Sequence, residues 1–129
     1  MCSGVTIGGN VSIQISGPCA PAGPGYLEYV ALLTQSGTDA PAATVLNNTL
    51  GGEVVWTRAN AGAYYGTLQS RFTADKTACI ITFGGGAQFR AAGLKRYDDD
   101  SVSLLSYNLD NSLADGLFAT YFVEIRVYP

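Results

Sequence analysis

Residues 26–68, YLEYVALLTQSGTDAPAATVLNNTLGGEVVWTRANAGAYYGTL, decide how this chain folds. Runs of aliphatic, aromatic and β-branched residues alternate there with clusters of Gly, Asn, Asp, Ser and Pro, the punctuation of short strands. In 26–35, Tyr29, Ala31 and Leu33 alternate with Val30, Leu32 and Thr34. Both sets are largely apolar, which predicts a strand covered on both faces and therefore central in its sheet. SGTDAP (36–41) is a turn cluster, and ATVLNNTL (43–50) reads as a brief strand. Gly51-Gly52 turns the chain into EVVWTR (53–58), where Val54 and Trp56 share one face. Trp56, the only tryptophan, is expected to anchor the core. ANAGA (59–63) predicts a short hairpin loop with Asn60 and Gly62 at positive φ, returning as YYGTLQ (64–69). Gly66 inside that strand points to a bulge, or to a close approach by the strand that carries Trp56.

Toward the C-terminus the same grammar continues. RFTADKT (71–77) reads as a loop turning at Ala74-Asp75-Lys76, followed by a strand over ACIITFG (78–84). AQFRAAG (87–93) has helix-forming alanines, but Gly93 and the surrounding strands favour an extended reading. SVSLLSYNL (101–109) is a strand with Val102, Leu104 and Ser106 on one face, and DNSLADGLF (110–118) is turn-like with room for one helical turn. The chain closes on TYFVEIRVYP (120–129), whose Tyr121, Val123, Ile125 and Val127 form a clean apolar face. Seven to nine short strands without a long helix predict a single all-β domain, a small β-sandwich of jelly-roll or immunoglobulin-like order, over residues 26–129.

Ahead of it lies a different segment. In residues 5–16, VTIGGNVSIQIS, the residues Val11, Ile13 and Ile15 alternate with Ser12, Gln14 and Ser16, as in a half-buried strand. GPCAPAGPG (17–25) then holds three prolines and three glycines, the composition of a hinge. Residues 1–25 are thus read as an extended arm, suited to donating a strand to its own body or to a neighbouring subunit.

The totals narrow the function. With 47% apolar and only 13% charged residues, the 129-residue chain can build a core without staples. A net charge of −3, with no basic residue before Arg58, disfavours nucleic acid as a partner. There is no histidine, which removes the commonest general base and metal ligand and every Ser-His or Cys-His pair. An enzyme is therefore not expected. Cys2, Cys19 and Cys79 lack zinc spacing; a Cys2–Cys19 disulfide is one reading of the arm, two free thiols the other. Cys79 reads as a small buried apolar residue. No secretory signal and no membrane-spanning run is legible, so neither a membrane nor export through a signal peptide is expected.

Three features remain that can carry chemistry. Asp98-Asp99-Asp100 is either a calcium loop or a solvated acidic turn, and the missing spaced D-x-D-x-D-G pattern favours the turn. The glycine runs at 8–9 and 84–86 lack the GK[ST] of a phosphate loop. The matches to the N-glycosylation pattern at Asn10 and Asn47 carry little weight without a secretory signal. Eight tyrosines (Tyr26, Tyr29, Tyr64, Tyr65, Tyr97, Tyr107, Tyr121, Tyr128) would suit a glycan platform, but strand faces and interfaces account for them equally well. No catalytic, cofactor-binding or metal-ligating residue is assigned, and no cofactor is expected.

The block Tyr29 to Pro41, continuing through Ala43-Thr44-Val45-Leu46 and Gly51 to Arg58, together with the closing Glu124-Ile125-Arg126-Val127-Tyr128, resembles a group of small β-domain proteins from bacteriophages and environmental bacteria, often encoded near virion genes. The likeness covers about the last hundred residues; the cysteine-bearing arm departs from it. It implies a compact β domain on a virus particle or a related assembly. The expectation is a non-enzymatic structural protein located in the virion, a capsid decoration or a tail or fibre component, contacting protein subunits of the same assembly and forming a homo-oligomer. The alternative is a carbohydrate-binding module using surface tyrosines.

Overall fold

A computed structural model describes residues 5–7, 11–13, 25–84 and 90–129. Ten strands follow in chain order: β1 Val5–Ile7, β2 Val11–Ile13, β3 Leu27–Thr34, β4 Ala42–Asn48, β5 Val55–Asn60, β6 Ala63–Thr67, β7 Thr77–Gly84, β8 Ala91–Arg96, β9 Ser101–Tyr107 and β10 Thr120–Val127. Among the described residues there is no helix. The eight strands from β3 onward form two four-stranded antiparallel sheets, ordered β4-β3-β10-β7 and β5-β6-β9-β8, packed face to face as a β-sandwich. The order is not the immunoglobulin one, because the first body strand, β3, pairs with the last, β10.

The alternation legible in the sequence sets the two inner faces. Tyr29, Ala31 and Leu33 of β3 and Tyr121, Val123, Ile125 and Val127 of β10 are buried on one side. Trp56, Tyr64, Leu94, Val102 and Leu104 meet them from the other sheet, and Leu50, Val54, Phe72, Leu117 and Phe118 fill in from the connections. Burying a side chain of this kind stabilises the fold by roughly 1.5–3 kcal/mol. Two hydroxyls tie the sheets together through the core: Trp56 Nε1 donates to Tyr29 Oη at 3.1 Å, and Tyr121 Oη donates to Ser106 Oγ at 3.1 Å. Gly66 pairs with Trp56 in regular register and forms no bulge. A Cβ at Gly66 would sit 3.0 Å from the indole ring and from Val54, so glycine is the residue that lets Trp56 lie flat across β6.

Several expectations are corrected. The stretch 5–16 is not one strand: within it β1 and β2 pair with each other as an antiparallel hairpin, Val5↔Ile13 to Ile7↔Val11. Residues 14–24, with Cys19 and the proline-rich hinge, and Cys2 lie outside the described residues, as do 85–89. In the β5–β6 turn Gly62 takes φ +67°, but Asn60 does not take a positive φ; a register shift between Arg58 and Asn60 supplies the bend. The strand placed at 87–93 is β8, shifted to 91–96, since Gly93 pairs with Leu105 without crowding and does not end the ladder. Residues 110–118 hold no helical turn: Asp110 accepts from Ser112, and Leu113 bridges back to Tyr107.

Candidate functional site

Polar groups that might have formed a reactive centre are engaged in holding loops. Asp115 accepts from Arg58 Nε and Nη2, the latter at 2.7 Å, from Gly62 N at 3.0 Å and from Tyr64 Oη at 2.6 Å. The Arg58 guanidinium holds its carboxyl far below the usual carboxylate range. Burial, followed by the hydrogen bond it donates to Asp115, pushes the Tyr64 phenol well above its ordinary value. With four donors on two oxygens, this carboxylate has no capacity left for substrate. It fastens the 108–118 connection onto the β5–β6 turn, where a Cβ on Gly62 would lie 2.5 Å from Ala114 N.

The aspartate triplet is also turn architecture. Asp98 Oδ1 accepts from Asp100 N and Ser101 Oγ, Asp99 pairs with Arg96, and Asp100 Oδ1 accepts from Ser70 N at 2.7 Å. The three carboxylates bind in three directions, and among the described residues no three His, Cys, Asp or Glu side chains converge on a point that could hold a metal. Asp110 follows β9 whereas the triplet precedes it, so the two acidic turns lie at opposite ends of that strand.

The tyrosines divide. Tyr29, Tyr64 and Tyr121 are buried in the core. Tyr65 and Tyr97 meet edge to face at 70°, and Tyr26 and Tyr128 are tilted at 49° with centroids 5.1 Å apart. Neither pair is a flat platform. Tyr26 and Tyr128, with Gly25, Leu27, Val127 and Pro129, line an open groove of about 430 Å³, and the Arg126 guanidinium lies 4.9 Å from the Tyr26 ring centre. Cys79 is half-buried against the core; burial pushes its thiol up to about 11.

The surface that stands out is β4. This strand is fixed at both ends. Thr49 N donates to Glu28 O at 2.8 Å, Glu28 N donates to Thr49 Oγ1 at 2.8 Å, and Asn47 Nδ2 donates to Glu28 Oε1 at 2.6 Å. At the other end Gln35 Nε2 donates to the carbonyls of Gly37 and Asp39, shaping the turn that enters β4. Between these anchors every residue of Ala42–Asn48 is exposed. Its partner on one side is β3; on its other side no strand among the described residues pairs with it, which leaves a sheet edge. Val45 lies opposite the buried Ala31, on the face that looks inward, yet is 48% exposed, because the second sheet does not extend under β4. Leu46, the extra residue of a bulge between the Ala31 and Val30 pairs, is 55% exposed. None of the seven residues is charged.

An uncharged edge of this kind is a ready template for a further strand. The sequence reading found the strand but not its exposure; the signal available was the absence of any charge from residue 40 to 52 around two aliphatic residues. Comparison with protein-family models, with curated proteins and with solved structures finds no match. No helix among the described residues is long and apolar enough to cross a membrane.

Proposed function

We propose that this protein is a non-enzymatic structural subunit that acts by protein–protein contact through the free edge of β4, as a decoration, tail or fibre component of a virus particle or a similar assembly. The observation that carries the reading is a strand anchored at both ends whose seven residues are all exposed and uncharged. Soluble monomers usually blunt such edges with lysine, proline or a covering loop. The engaged state of Asp115 and of the Asp98–Asp100 turn supports a non-catalytic role. Light scattering on the purified chain tests it: the protein is expected to be larger than a monomer, and Val45→Lys with Leu46→Lys is expected to reduce it to one. An unchanged mass in the double variant rejects the edge as the contact.

A second reading, glycan binding, draws on the Tyr26–Tyr128 groove, where an apolar floor and two tilted rings suit one sugar ring rather than a row of them. Glycan-array binding that disappears in Tyr128→Ala would favour it; an array blank for the native chain would discard it.

A further inference from the structure

The β1–β2 hairpin and the β4 edge are each incomplete, and in complementary ways. Three residue pairs hold β1 to β2, and an isolated two-stranded ribbon is marginal in water; it needs a third strand or a covering surface to persist. Among the described residues the hairpin forms a sheet of its own and pairs with no strand of the body. Among the described residues the body, for its part, leaves β4 with an unpaired edge and an exposed inner face.

Length and charge match. The bulge at Leu46 interrupts the β4 ladder and leaves Ala42–Val45 in regular register with β3. Four regular residues accept a strand of three, the length of β1 and of β2, whereas a longer partner would run into the bulge. No charged residue precedes Glu28, and none lies between Asp39 and Glu53, so hairpin and edge meet without a charge to desolvate or a like-charge contact. The alternation of Val5-Thr6-Ile7 and Val11-Ser12-Ile13 gives either strand one apolar side, which is what the exposed Val45 lacks for cover.

We infer that the occupant of the β4 edge is the β1–β2 hairpin of a second copy of this chain, added as a fifth strand next to Ala42–Val45. This rests on the proposed role of the edge and names its partner. The eleven residues 14–24 reach at most roughly 36 Å when extended, enough to span from Gly25 of one copy to the edge of another lying beside it. Assembly by exchange needs no surface beyond what each copy already carries, and it accounts for a hairpin and an edge that pair with nothing further among the described residues.

The test places a photoreactive benzoyl-phenylalanine at Leu46 of the full chain, mixes light and nitrogen-15-labelled copies, irradiates, and cleaves at glutamate. Cutting after Glu28 and Glu53 separates the hairpin peptide, 1–28, from the β4 peptide, 29–53. The expected product joins 29–53 to 1–28, with light–heavy pairs as frequent as random mixing allows. Linkage of 29–53 to another 29–53 overturns the hairpin as occupant while leaving the edge as the assembly surface. Linkage to 1–28 only within one isotope overturns exchange between copies. In parallel, Val11→Lys is expected to lower the native mass as far as the β4 double variant does. An unchanged mass for Val11→Lys beside a monomeric β4 variant rejects the hairpin alone; unchanged masses for both reject the edge as well.

Discussion

Ile81 and Val45 occupy corresponding places in one sheet: each is the inward-facing aliphatic residue of an edge strand, opposite Val123 on β10 and Ala31 on β3 respectively. Their surroundings differ. On the Ile81 side, β8 of the other sheet comes up against β7, so that Cys79 and Ile81 pack on the core and the Phe83 ring rests 4.3 Å from that of Phe118. On the Val45 side, β5 turns its inner face, through Trp56, toward Tyr29 of β3 rather than toward β4, and the sandwich stays open. The inward face of one edge strand packs on the protein's own core, and that of the other stays open. The difference lies in packing between sheets, since the ladders within the sheet are regular on both sides apart from the bulge at Leu46.

The strongest way to break this contrast is to remove what closes the core beside the open edge. Trp56→Ala deletes the ring that fills the space above Gly66 and its bond to Tyr29. It is expected to cost about 3–5 kcal/mol, read as a lower denaturant midpoint. Thiol chemistry sharpens the contrast. In a Cys2→Ser, Cys19→Ser background, Cys79 with its thiol pushed up to about 11 is expected to react at pH 8 on the order of a hundredfold more slowly than a cysteine introduced by Val45→Cys in dilute solution. Comparable rates would mean that the β7 side is not closed.

Asp115→Ala releases the 108–118 connection from β5 and β6 and is expected to cost on the order of 2 kcal/mol. Because the folded carboxyl is held below its unfolded value of about 3.9, its stabilisation is complete above that pH and fades as the pH falls below it. The gap in melting temperature between native and variant proteins should therefore narrow below about pH 4. The smallest effect on folding belongs to the open edge: Val45→Lys is expected to shift stability by less than about 0.5 kcal/mol while still lowering the native mass.

Much of this was legible beforehand where a signal is local. Tyr121 to Val127 alternates so cleanly that its face was fixed by period alone, and Trp56, Gly66 and the Asp98–Asp100 turn behave as their residue types demand. Contacts that join distant parts of the chain left no local trace. Arg58 and Asp115 are 57 residues apart, and neither has a motif that points to the other. The exposure of β4 was hidden for the same reason: whether Val45 is covered depends on where the second sheet ends, a property of β5 and not of the residues around Val45.

The central claim is that the β4 edge holds a partner strand, and backbone amide exchange reads it directly. Hydrogen–deuterium exchange across 42–48 should slow as protein concentration rises, while β7 and β8, whose inner faces pack on the core, exchange at a rate independent of concentration. Exchange in β4 that stays fast and unchanged over the whole concentration range would contradict the account.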